Sequence, residues 1–281
     1  MCSRFFKKNM YKSIPIDEHL KIMIGTAYEF LDTAKKMMDS CRNKENKRCS
    51  ECRLVIAFFC RRAVEIAESF LILIKEDRLP DALLLLRSFW EMGINTDYIF
   101  SDPKKKEINS IKYLLNEYRS TIKMLKNNRE EFLSDGLDVD ARLAEIQKKE
   151  ASAMRRLAEE YKEEDISWPR RISDRARNSK SWVIKQAYYM AYAYASNIEH
   201  HDMSFGKEYL DVDRCEPLKD IPTSILLRPD VNLFMCRSIL LVVMKTFNDE
   251  FDLKWGKVIE KYEKKQDDEY NMMKKRDGKT T

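Results

Sequence analysis

The stretch that decides the fold is residues 108–125, INSIKYLLNEYRSTIKML. Its apolar residues recur at strict three- and four-residue steps, as along one side of a coiled coil: Ile108, Ile111, Leu115, Tyr118, Ile122 and Leu125. After a turn signal at residues 134–136, a second apolar series runs from Leu143 to Tyr161, and Asp138 is placed to cap its helix. The two series predict a long antiparallel helical hairpin over residues 104–164.

Helical periodicity continues on both sides of the hairpin. Before it, the pattern predicts helices over residues 20–34, 54–74 and 80–100; after it, helices over 181–201 and 229–247. The chain has 281 residues but only 6 Gly and 7 Pro, too few turn-forming residues for a many-stranded sheet. We therefore predict an all-α, multi-helix bundle with a long inserted antiparallel helical hairpin.

The same patterns suggest how the chain is organised and where it acts. Residues 1–16 are expected to form a flexible arm, residues 17–250 a single helical domain that includes the protruding hairpin 104–164, and residues 251–281 a charged C-terminal helix or tail. No uncharged run approaches the roughly 20 residues that cross a bilayer, and no apolar signal stretch follows the basic start. We expect a cytoplasmic protein with no membrane partner. A net charge of +5 neither requires nor excludes an anionic partner.

Several enzyme classes are excluded by missing residues. With three histidines, the chain cannot build the zinc hydrolase pattern of two histidines four residues apart with a glutamate between them, and it has no glycine fingerprint for nucleotides. Cys49 and Cys52 form a CxxC that, with Cys41 and Cys60, could in principle hold zinc. Cys60, however, lies in an apolar run, as core cysteines do. We expect no metal and no cofactor.

Two polar stripes on predicted helices are the candidate site. Arg87 and Glu91 are four residues apart on one helical face and follow the wholly apolar residues 82–86, so we expect them to enter a buried environment. The helix over 181–201 places Ser196 and His200 on a common stripe. Burying a guanidinium and a carboxylate without partners costs several kcal/mol. The two stripes should therefore meet or open on a wet cleft.

These residues resemble a known pattern. The segment LLLLRSFWE at residues 83–91, then the hairpin, then YYMAYAYAS at residues 188–196 followed by His200, is similar to an uncharacterised, all-helical bacterial family of unknown function. The resemblance covers roughly residues 50–250. It implies an arginine and a glutamate in one helix and a tyrosine, a serine and a histidine in another: Arg87, Glu91, Tyr194, Ser196 and His200. That family lends no established activity.

A more distant resemblance is to the HEPN superfamily, helical bundles of toxin and phage-defence systems, many of which are metal-independent ribonucleases. Their motif is an arginine, usually followed by a polar residue, with a histidine four to six residues beyond the arginine. Residues 196–201, SNIEHH, have the polar residue and the histidine, but Ser196 stands where the motif has arginine. Arg87 could then stabilise the phosphate while His200 or His201 transfers protons to and from the ribose hydroxyl. Three further residues are expected to line this pocket: Tyr194, Asn197 and His201.

A basic cluster before the histidines favours RNA as the partner, because such residues can hold phosphates by charge: Arg170, Arg171, Arg175, Arg177, Lys180 and Lys185. Other interpretations stay open. The polar centre can be a structural network that fixes helix register in an interaction module, which would form a homo-oligomer through the hairpin. An aromatic set can instead line a small-molecule pocket or belong to the core: Trp90, Trp182, Tyr189, Tyr192 and Tyr194.

Overall fold

The computed structural model describes residues 18–42, 50–76, 78–181, 184–185, 188, 210–211, 216–217 and 228–277. The helices, in chain order, are α1 (Glu18–Arg42), α2 (Glu51–Lys75), α3 (Leu79–Phe100), α4 (Lys106–Asn127), α5 (Arg129–Ser134), α6 (Val139–Glu159), α7 (Ile172–Arg177), α8 (Pro229–Phe251) and α9 (Gly256–Asp277). A two-residue antiparallel pair joins β1 (Leu210–Asp211) to β2 (Glu216–Pro217). The predicted all-α fold is confirmed. The predicted arm over residues 1–16 lies outside the described residues.

Helix α2 is the centre of the bundle. It packs against α1, α3, α4 and α8, and it is buried along most of its length. The hydroxyl of Ser50 caps its start by accepting a hydrogen bond from the backbone N–H of Arg53 at 3.3 Å. Large side chains such as Phe59 and Phe70 then fill the space between the neighbouring helices. The core lies between α1, α2, α3 and α8, the four most apolar helices of the described chain.

Helices α4 and α6 pack as an antiparallel hairpin joined by α5. Ion pairs between Lys112 and Glu163 at 2.9 Å and between Arg119 and Glu150 at 3.2 Å show the antiparallel register. The backbone N–H of Ala141 donates to the Asp138 carboxylate at 3.0 Å, so the predicted cap is present. Two small apolar clusters separate from the main core hold the helices together. One lies near the base (Ile111, Leu115, Leu157) and one near the tip (Ile122, Leu125, Val139, Ile146).

The C-terminal helix α9 packs on α8, although its sequence is mostly charged. The Tyr262 ring lies 4.4 Å from the ring of Phe30 on α1, centroid to centroid. Further along, the guanidinium of Arg237 on α8 pairs with the carboxylate of Glu269, and both side chains are almost completely buried. Residues 251–281, predicted as a charged helix or tail, therefore include a helix that a buried ion pair holds against α8.

Within the part of the chain that the structure describes, we find no helix that combines the length and the apolar character needed to span a membrane.

Candidate functional site

A cleft of about 630 Å³ lies where α2, α3 and α4 meet the segment 168–175. Helix α3 contributes one face to it, because Ser88, Glu91, Met92 and Asn95 are spaced three and four residues apart. Aromatic side chains from the other elements form an apolar wall: Phe58, Phe59, Tyr113 and Trp168. This volume lies within the range of small-molecule sites, which combine an apolar wall with a few polar groups.

Polar groups of both kinds line the cleft, hydrogen-bond acceptors as well as the cationic donors Lys123 and Arg170. Asn95 is only 7% exposed, and its side-chain oxygen accepts no hydrogen bond from the described residues. The carboxylates of Glu91 and Glu117 enter from α3 and α4. Desolvation in the cleft and the negative charge of Glu91 raise the pKa of Glu117 above its ordinary value. The cleft therefore places carboxylates and cations side by side.

Arg175 shapes one wall of this cleft. It is 4% exposed, and its Nη1 donates to the carbonyl oxygen of Pro169 at 2.5 Å. Its Nη2 donates to the Glu91 carboxylate at 3.2 Å, and its guanidinium lies 5.3 Å above the centre of the Trp168 ring. A guanidinium so enclosed holds the segment 168–175 against α3. This result corrects the grouping of Arg175 with the cations predicted to meet nucleic acid.

The other members of the basic cluster differ from Arg175 in being exposed: Arg170, Arg171, Arg177, Lys180 and Lys185. Arg170 lines the cleft. The ammonium group of Lys180 donates to the backbone oxygen of Ser101 at 2.9 Å, at the end of α3. Among the exposed cations, Arg170 therefore lies at the cleft and Lys180 at the C-terminal end of α3.

The Arg87–Glu91 stripe lies on α3 as predicted, but it is not fully buried. Arg87 is half-buried, and the Glu91 side chain is 46% exposed because it faces the open cleft. The expectation of a buried environment is therefore wrong for Glu91. The partner that the structure gives to its carboxylate is Arg175, eighty-four residues later in the chain, a contact that spacing along one helix does not reveal.

The segment that leads to the predicted histidine stripe begins against α3. The Asp97 carboxylate accepts hydrogen bonds from the Ser179 hydroxyl and from the backbone N–H of Lys180. Ile184 then packs with Ile94, nearer to Arg87 along α3. The described part of this segment thus crosses α3 in the direction of Arg87. The other predicted site residues lie outside the described residues: Tyr194, Ser196, Asn197, His200 and His201.

The structure also bears on two other interpretations, the aromatic small-molecule pocket and the cysteine zinc site. Trp90, one of the aromatic residues considered for a small-molecule pocket, is 1% exposed and belongs to the main core. The thiol of Cys52 is buried and donates to the Glu107 carboxylate at 2.7 Å, and desolvation together with this bond raises its pKa to about 12. A thiol held in its protonated form is a poor zinc ligand. Cys49 lies outside the described residues.

The comparison with protein families decides what the chain is related to. The model of a family of unknown function, DUF5677, matches residues 53–217, more than half of the chain. The chain belongs to the DUF5677 family. The predicted membership of an uncharacterised family is confirmed. The DUF5677 match covers α3, the hairpin and the cleft, and it ends before α8. No curated protein and no solved structure matches the chain.

Part of the cleft of this DUF5677 protein was predictable from the sequence. Asn95 lies one helical turn beyond Glu91, so spacing alone places it on the polar face of α3 that bears Arg87 and Glu91. Glu117 and Tyr113 carry no such signal, because a glutamate and a tyrosine beside an apolar seam are ordinary on a hairpin surface. Trp168 follows the hairpin in an irregular stretch, where no periodicity predicts which side chains turn inward.

The raised pKa of Glu117 predicts a pH-dependent effect of Glu117→Gln. A carboxyl group whose pKa is higher in the folded than in the unfolded state costs stability once it ionises, as pH rises through the raised value. We expect Glu117→Gln to melt at a higher temperature than the wild type near about pH 8, with the difference vanishing below the ordinary carboxyl pKa of about 4.3. Thermal melts of the variant and the wild type across this pH range measure the difference in melting temperature. A lower melting temperature of the variant near neutral pH would contradict the desolvation argument.

Proposed function

We propose that this protein binds RNA and cleaves it without metal, in the manner of HEPN ribonucleases. The path of residues 170–185 supports the proposal. Exposed cations lie along it, and it packs on α3, the helix that bears Arg87 and Glu91. Phosphates bound to Arg170 or Arg171 would lie next to the cleft, because Arg170 lines it. An activity of this kind would serve a bacterial defence or stress system in the cytoplasm.

The proposed chemistry is an internal attack within the RNA strand. His200 accepts the proton of the ribose 2′-hydroxyl, and the resulting oxygen bonds to the adjacent phosphorus. The bond from phosphorus to the 5′-oxygen of the next nucleotide breaks, and His201 donates a proton to that leaving oxygen. Arg87 stabilises the negative charge on the phosphate oxygens in the transition state. Ser196, Asn197 and Tyr194 would hydrogen bond the nucleotide around this centre.

Single substitutions test the proposal. His200→Ala and Arg87→Ala are expected to reduce cleavage of single-stranded RNA by about 100-fold or more while the far-ultraviolet circular dichroism stays unchanged. His19→Ala, on the partly exposed start of α1, is the matched control and should cleave like the wild type. If both site variants lower the melting temperature and wild-type protein cleaves no RNA, the polar centre is a structural network.

RNA binding is tested separately from cleavage by its dependence on salt. Each phosphate contact contributes about 0.7 to the slope of the logarithm of affinity against the logarithm of salt concentration for single strands. Replacing Arg170, Arg171 and Arg177 with glutamine should lower that slope, whereas the buried Arg175 should contribute nothing to it. An affinity that does not weaken as salt rises would contradict phosphate binding by this segment.

A second candidate function is a protein interaction through the hairpin. Four large apolar side chains of α4, α5, α6 and the connecting turn are more than a third exposed: Met124, Leu133, Leu137 and Met154. An interface between two copies of the chain would bury these four side chains. Leu133→Lys together with Leu137→Lys should then convert an oligomer to a monomer in light scattering. A wild-type protein that is already monomeric would exclude this candidate.

A further inference from the structure

The cleft between α2, α3 and α4 has a polar interior that its own residues do not satisfy. Asn95 is more than nine-tenths buried, lines the cleft and has an oxygen to which no described residue donates. Leaving such an atom without a hydrogen bond is costly, so native proteins usually satisfy it with solvent or a ligand. With Glu91 and Glu117, the cleft presents acceptors from two facing helices. A ligand that meets the carboxylates must carry N–H or O–H donors.

The same cleft also carries positive charge. The exposed side chains of Arg62, Lys123 and Arg170 line it, and they come from α2, α4 and the segment after the hairpin. A small inorganic anion would suit these cations but not the neighbouring carboxylates of Glu91 and Glu117. An organic cation would suit the carboxylates but would be repelled by the cationic side chains, and Arg175 already lies over the Trp168 ring. The mixed lining therefore favours a ligand that carries both N–H or O–H donors and negative charge.

The aromatic wall adds a third requirement. The rings of Tyr113 and Trp168 meet edge to face with centroids 5.4 Å apart, and Phe58 is 52% exposed beside them. A flat aromatic ligand gains stacking and burial against an exposed ring such as that of Phe58. A flat heterocycle with N–H donors and an attached phosphate meets all three requirements, and a volume of about 630 Å³ is ample for one nucleotide.

We propose that this cleft binds a guanine base, carried either by a free nucleotide or by a nucleotide of an RNA strand. Guanine is the RNA base that presents a ring N–H and an exocyclic amine side by side, and a carboxylate accepts from both at once. Glu117 takes this pair, and the phosphate lies at Lys123 and Arg170. In the RNA case the proposal deepens the proposed function, because it makes guanine the preferred base.

Calorimetric titration of the full chain with the four ribonucleoside monophosphates tests the free-nucleotide case. GMP is expected to bind at least about 10-fold more tightly than AMP, CMP or UMP, since one charge-assisted hydrogen bond is worth about that factor. Glu117→Gln should remove this preference. Glu130→Gln, an exposed carboxylate on α5 away from the cleft, is the matched control and should retain it.

A second titration tests the RNA case with a short oligouridine and the same strand carrying one guanosine. Tighter binding of the guanosine strand, lost in Glu117→Gln, supports the proposal even if free GMP does not bind. Equal binding in both titrations overturns it. If oligouridine binds with a salt dependence but guanine gives no gain, the proposed function stands and this inference fails. If GMP binds and no RNA does, the cleft is a free-nucleotide site and the proposed function fails.

Discussion

Replacing Glu269 with alanine is expected to lower the free energy of unfolding by about 3–5 kcal/mol. Its carboxylate accepts from Arg237 Nη1 at 2.9 Å and also pairs with Nη2, and the two side chains are 6% and 5% exposed. Removing the carboxylate leaves a guanidinium inside the α8–α9 interface, where neither water nor another charge compensates it. Urea denaturation followed by circular dichroism measures the loss.

An exposed ion pair between the same two helices, α8 and α9, is the control for this prediction. Lys245 on α8 pairs with Glu263 on α9 at 2.8 Å, but these side chains are 56% and 36% exposed. Solvent and salt screen such a pair, so Glu263→Ala should cost less than about 1 kcal/mol. A double variant, Arg237→Met with Glu269→Met, should recover most of the loss, because no unpaired charge remains. Equal losses in Glu269→Ala and Glu263→Ala would contradict the importance of burial.

The second large effect is expected for Phe70→Ala, which should lower the free energy of unfolding by about 3–5 kcal/mol. Phe70 is 0% exposed in the central helix α2, and truncating it removes apolar burial and leaves a cavity that the neighbouring helices cannot fill. Phe58→Ala makes the same chemical change on the same helix at a side chain that is 52% exposed. It should cost less than about 1 kcal/mol. Comparable losses at the two positions would show that α2 is not the centre of the core.

The hairpin shows how far periodicity alone predicts structure. The 3-4 spacing of Ile111, Leu115 and Ile122 predicted an amphipathic helix, and those residues are buried against α6. The cap at Asp138 was also predictable, because capping needs only residues within one turn. Such features depend on short-range geometry that a helix repeats regardless of the rest of the fold.

The candidate site was less predictable because it depends on contacts between residues that are far apart in the chain. The stripe of Arg87, Glu91 and Asn95 could be read from a four-residue spacing on α3. The contact between Glu91 and Arg175 could not, because the two residues belong to elements that meet only after the hairpin has folded back. Arg175 and its neighbour Arg177 are alike in sequence, yet the former is buried and the latter is exposed.

The sequence by itself determined the all-α class and the long helices before residue 160, because both follow from apolar spacing and turn residues along the chain. It also determined which faces of the hairpin helices α4 and α6 turn inward. Only the tertiary structure decided which charges are buried and where α2, α3 and α4 leave a cleft. Burial and pairing of a charge depend on side chains brought from distant parts of the chain, as Arg237 with Glu269 and Arg175 with Glu91 show.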